Sequence, residues 1–120
     1  MENTAAIQLL DKIEADLNRN GIITNTLVTD LKELRPYAIE EEDPTLTKVI
    51  RLTYELLENT GGFEVAMPVE VDEEGVAMEA EESTPTETML YLVSIMRNAK
   101  NPINREDLFQ FRDNLKELVG

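Results

Sequence analysis

The chain has neither cysteine nor histidine among its 120 residues. Disulfides, thiolate metal sites and histidine zinc sites are therefore excluded. So are the Ser-His-Asp and Cys-His catalytic arrangements. An enzyme built on this chain would have to use carboxylates, tyrosines or a hard metal. Tryptophan is also absent. No apolar run approaches the roughly 20 residues that span a bilayer, and no basic-then-apolar leader is present. The most extended absence is of positive charge: from Leu52 to Met96 there is no lysine and no arginine.

That basic-free window holds eleven carboxylates: Glu55, Glu58, Glu64, Glu70, Asp72, Glu73, Glu74, Glu79, Glu81, Glu82 and Glu87. The whole chain carries a net charge of −14, so the remainder is close to balance. Such a charge disfavours nucleic acid, where binding is largely phosphate neutralisation. It disfavours anionic membranes for the same reason. Basic protein partners remain open, and surplus acid also keeps a small protein soluble. The hydrophobic fraction of 42% is ordinary for a folded chain, and 120 residues can bury one real core. The expectation is a single soluble, cytoplasmic domain spanning residues 1–120.

Helical spacing recurs along the first half. Ala6, Leu9, Leu10, Ile13 and Leu17 share one face of a helix over 4–19, with Thr4 as N-cap and Asn20-Gly21 as stop. Leu27, Leu31 and Leu34 mark a second helix that Pro36 should end or kink. Residues 37–43 are then a short continuation or a loop. Asp43-Pro44 is an N-cap followed by proline at the first helical position. It opens a third helix, 44–59, burying Leu46, Val49, Ile50, Leu56 and Leu57 with Tyr54 at the edge, and Gly61-Gly62 closes it.

From Phe63 the period becomes two. Phe63, Val65, Met67, Val69 and Val71 alternate with Glu64, Ala66, Pro68, Glu70 and Asp72, and Val76, Met78 and Ala80 alternate with Ala77, Glu79 and Glu81. This predicts an antiparallel β-hairpin at about 63–82, turning at Asp72–Gly75, with one apolar and one carboxylate face. Thr84-Pro85-Thr86-Glu87 is a capping box. It opens a helix over 85–99, apolar nearly all round, which sits centrally or is shared between core and interface. Asn101-Pro102 breaks the chain. Asn104 should cap a last helix, 105–119, with Glu106 and Asp107 in its first turn, Leu108, Phe111, Leu115 and Leu118 inward, and Phe109 off that stripe. The fold expected is mainly α, α+β at most: about five helices with one hairpin between the third and fourth. The order of the first elements resembles a winged-helix arrangement in order alone. A recognition helix at 44–59 would offer only Lys48 and Arg51.

No motif points to catalysis. Glu70-x-Asp72-x-Glu74-Gly75 with Glu81 partly fits a calcium loop, but its flanks read as strands, so it is an acidic turn. Glu40 to Asp43 reads as the solvated approach to a helix N-terminus, not a magnesium patch. Met67, Met78, Met89 and Met96 fall on inward positions and read as core filling. No enzyme activity, cofactor or metal is expected. The leading expectation is a non-enzymatic protein–protein interaction module that meets itself as a homodimer, with Tyr91, Ile95 and Phe109 as candidate contacts. The alternative is an acidic regulator, a nucleic-acid mimic, that docks on a basic protein through Glu64, Glu70, Glu79 and Glu81. A carboxylate enzyme comes third.

Overall fold

A computed structural model describes residues 1–69, 74 and 82–119. Five helices follow one another: α1 (Thr4–Asn20), α2 (Thr24–Glu40), α3 (Pro44–Thr60), α4 (Pro85–Arg97) and α5 (Pro102–Val119). Each packs mainly on two neighbours, and the contacts close a ring in the order α1, α2, α3, α5, α4. The core inside that ring is apolar. It holds Leu10 and Ile13 of α1, Leu31 and Leu34 of α2, Leu46, Ile50 and Leu57 of α3, Met89, Leu92 and Met96 of α4, and Phe111 of α5, with Phe63 from the connection after α3.

Local chemistry sets most of the helix ends. Asp43 accepts from the Leu46 N–H at 3.1 Å, and Pro44 supplies the preset φ of the first turn. Thr84 accepts from the Glu87 N–H at 3.1 Å, and the Glu87 carboxylate reaches back to the Thr84 N–H. Each such cap stabilises its helix by about 1 kcal/mol. Gly61 ends α3 at φ 73°, a left-handed conformation that glycine takes without strain. Asn3, rather than Thr4, caps α1, its carbonyl accepting from Ala5 and Ala6.

Two helices outrun their expected bounds. α2 continues through Pro36 to Glu40. The proline removes one backbone donor, but Leu34 before it and Ala38 after it are both fully buried. Packing on both sides outweighs one lost helical bond. α5 starts at Pro102, because Asn101 accepts from the Ile103 and Asn104 N–H groups at 2.9 and 3.2 Å. Pro102 thus opens the helix instead of breaking the chain, and Glu106 and Asp107 fall in the second turn. Asn104 donates to the Asn98 carbonyl instead of capping.

Against the expected β-hairpin, the described residues are all-helical in their regular structure and contain no strand. The described part of its first arm, 63–69, has the foreseen burial at its start, with Phe63 and Val65 inward and Glu64 and Ala66 exposed. Its backbone partner is a side chain of α5. The Gln110 amide accepts from the Val69 N–H and donates to the Val69 carbonyl, both at 2.9 Å. A glutamine amide offers the same donor and acceptor as a peptide unit, so it satisfies that residue without a second strand. Alternation reports which side of a segment is buried, not what its backbone bonds to. The rest of the expected hairpin, apart from Glu74 and Glu82, lies outside the described residues, and with it most of the partial calcium motif. With no strand among the described residues, the winged-helix order has no counterpart among them.

α4 resolves the choice its sequence left open. Thr88, Met89, Leu92, Val93, Ile95 and Met96 are all buried within the molecule. Its apolar girdle is core. No helix among the described residues is long and apolar enough to cross a membrane.

Candidate functional site

One surface of this acidic chain is cationic. On α5 the residues Arg105, Phe109, Arg112 and Lys116 recur at spacings of four, three and four. At 100° per residue they fall within an arc of roughly 60°, beside the buried stripe of Leu108, Phe111 and Leu115. Phe109 is 39% exposed, and the guanidiniums of Arg105 and Arg112 lie 5.5 and 5.1 Å from its ring centroid. Such contacts hold both cations outward along the helix. α3 packs on α5 and contributes Lys48 and Arg51, one helical turn apart. α2, on the other side of α3, contributes Arg35.

Arg35, Lys48 and Arg51 line an open cleft of about 600 Å³, completed by Ile39, Glu42, Asp43, Pro44 and Thr47. Ile39 is 52% exposed and provides apolar wall. Glu42 has φ 56°, a left-handed conformation that costs a non-glycine residue about 1 kcal/mol and turns the chain between α2 and α3. Asp43 is already engaged: besides capping α3, it meets Arg105 Nη1 at 2.6 Å. Arg112 pairs with its neighbour Asp113 at 3.0 Å.

The other cations here have no carboxylate within ion-pair distance among the described residues. Arg35, Lys48, Arg51 and Lys116 are all in this state, and only Arg19 and Lys100 share it elsewhere. Arg35 also keeps its Nε buried without a hydrogen-bond partner. The Lys116 charge first, then burial, then Arg51 and Arg112, push the Lys48 amine below the usual lysine value. Like charges gathered in this way make the local potential more positive than on the rest of the chain.

The residues singled out from the sequence are scattered. Glu64 is exposed on the segment after α3. Glu70, Glu79 and Glu81 lie outside the described residues. Ile95 is buried in the core. Tyr91 is half-buried on α4, its ring 6.4 Å from Phe111 and its hydroxyl donating to the Asp107 carboxylate. Only Phe109 stands on the exposed cationic surface. Glu40 to Asp43 do not converge either: the Glu41 carboxylate accepts from the Glu2 N–H, and Asp43 is bound to Arg105. Among the described residues no three carboxylates gather as a metal site would require. The cationic face itself went unread, although the spacing of Arg105, Phe109, Arg112 and Lys116 carried half of it. Comparisons of the chain with known protein families, with curated proteins and with solved structures all return no match.

Proposed function

We propose that this protein is a non-enzymatic protein-interaction module whose contact face is the cationic surface of α2, α3 and α5, and that this face takes an acidic segment of a partner protein. One observation carries the reading. In a chain with 25 carboxylates, Arg35, Lys48, Arg51 and Lys116 have no ion pair among the described residues. Acid was abundant, so their lack of partners is a property of the surface and not of the supply. The apolar wall at Ile39 and Pro44 suits a peptide that alternates acids with apolar residues. The same proposal places the module in the cytoplasm, where a cysteine-free fold is at no disadvantage.

Fluorescence polarisation with a labelled glutamate–leucine peptide tests the reading. Binding should weaken steeply with salt. The triple variant Arg35→Glu, Lys48→Glu, Arg51→Glu should abolish it while the helical circular dichroism persists. Binding of the same strength by that variant, or no binding at low salt, refutes the reading.

Self-association is a second reading, because the chain carries both halves of such a contact: this face and the carboxylate-rich window from Leu52 to Met96. Sedimentation equilibrium that shows only a 13.6 kDa species at micromolar concentration and low salt removes it.

A further inference from the structure

We infer that Arg35 is the residue by which the cleft selects its partner segment: its guanidinium is a preset fork for one side-chain carboxylate of that segment. This rests on the acidic-segment reading and makes it more specific.

One atom in the wall of the cleft is stranded. Among the buried side-chain nitrogens and oxygens of the described residues, Arg35 Nε alone has no hydrogen-bond partner. Native folds pair nearly all such groups, so an exception calls for a reason. The terminal Nη1 and Nη2 make no hydrogen bond or ion pair either, and they are not enclosed. Holding Nε inside restricts where Nη1 and Nη2 can go. Less side-chain freedom is then lost when a ligand arrives. The open edge of a guanidinium presents two parallel N–H donors, and a carboxylate presents two oxygens in the matching plane. A lysine has the charge but no fork.

The cleft does not fill this fork from within. Glu42 and Asp43 both stand in its wall. Asp43 is engaged by Arg105 and by the cap of α3. Glu42, turned at φ 56°, has no ion pair with Arg35. One helical turn along α2 from Arg35, the exposed side chain of Ile39 lines the same cleft, as does Pro44. A carboxylate at Arg35 therefore has apolar wall beside it for the next residue of the segment. Lys48 and Arg51 line the cleft from α3 and draw further acids by charge. They supply attraction, and Arg35 supplies geometry. The cleft is open, so the segment can continue past the fork, which favours a side-chain carboxylate over a chain end.

The test uses the full chain at low salt and a labelled, end-blocked glutamate–leucine peptide whose glutamates are changed to glutamine one at a time. On the wild type, one of these changes should weaken binding about tenfold. Arg35→Lys keeps the charge and removes the fork. It should weaken binding of the parent peptide by about the same factor, and that one glutamine peptide should then bind both proteins equally. Such non-additivity marks a direct partnership, which a merely structural role would not produce. The thermal midpoint of Arg35→Lys should not fall, since the stranded Nε is gone. Arg19→Lys, which alters an arginine outside the cleft, should change neither affinity nor coupling. Parent-peptide binding by Arg35→Lys at wild-type strength, or weaker binding with no glutamate coupled to it, overturns the fork and leaves the acidic-segment reading standing. No binding of any peptide by the wild type overturns both. A glutamate-free peptide with a free C-terminus that binds as tightly as the parent overturns the side-chain carboxylate as occupant. Displacement of the peptide as the chain dimerises, followed by sedimentation, overturns the partner segment in favour of a second copy.

Discussion

Two charged regions of this molecule obey opposite rules. On the side of α1, two cations are matched and Arg19 is not: Lys12 bridges Asp16 and the buried Asp30, and Arg97 reaches from α4 to Asp11 and Glu14. Burial works against the Arg97 charge, and the two carboxylates overcome it and hold its pKa above the ordinary value. On the side of α3 and α5, the charge of Lys116 before any other cause lowers the Lys48 pKa. Matched charges fasten helices to one another. Unmatched ones contribute nothing to that task and weaken the fold slightly. The difference separates what the chain uses to fold from what it offers.

The largest expected break is common to both regions. Phe111 is fully buried in α5 and anchors the helix that carries half of the cationic face. Phe111→Ala should cost about 3–5 kcal/mol in urea unfolding and weaken acidic-peptide binding with it. A smaller break separates the roles within the cleft. Asp43→Ala removes the α3 cap and strands Arg105, which should cost about 2 kcal/mol, whereas Asp43→Asn keeps the cap and should lose about half of that. If Asp43→Ala left stability unchanged, Asp43 would belong to the offered surface, not to the fastened one.

On the matched side the coupling is modest, because Lys12 keeps about half its side chain in solvent. A double-mutant cycle of Lys12→Met with Asp30→Asn should return about 0.5–1 kcal/mol. Asp30 first and Asp16 second raise the Lys12 pKa above the usual lysine value of 10.5. Its folded-state pKa is therefore the higher one, and the contribution is full below 10.5 and lost as pH rises through the folded value. Cycles at pH 7 and 9 should agree.

What the sequence made legible was local. Asp43-Pro44, the box from Thr84 to Glu87 and the stop at Gly61 were readable because each acts within a few residues, and all three stand where expected. The burial of Phe63 and Val65 was readable from alternation. The hairpin was not, because the partner of Val69 is Gln110, 41 residues on, and no periodicity encodes a side-chain amide standing in for a strand. The cationic face divides the same way. Its α5 half is a spacing within one helix. The placing of Arg35 with Lys48 and Arg51 in one cleft exists only once the helices close their ring.

The smallest effect tests the comparison most directly, because its sign is opposite to that of an ordinary surface deletion. Lys116→Met removes the charge that most disfavours protonated Lys48. The folded-state pKa of Lys48 lies below its unfolded value, so the penalty is complete at neutral pH, where both states are charged. It fades as pH rises through the folded value toward 10.5. Lys116→Met should therefore raise the thermal midpoint slightly at pH 7 and leave it unchanged near the unfolded pKa, the reverse of Lys12→Met, which should lower it at pH 7. A drop in midpoint on Lys116→Met would mean that Lys116 fastens the fold like the cations of the matched side, and the contrast between the two regions would be lost.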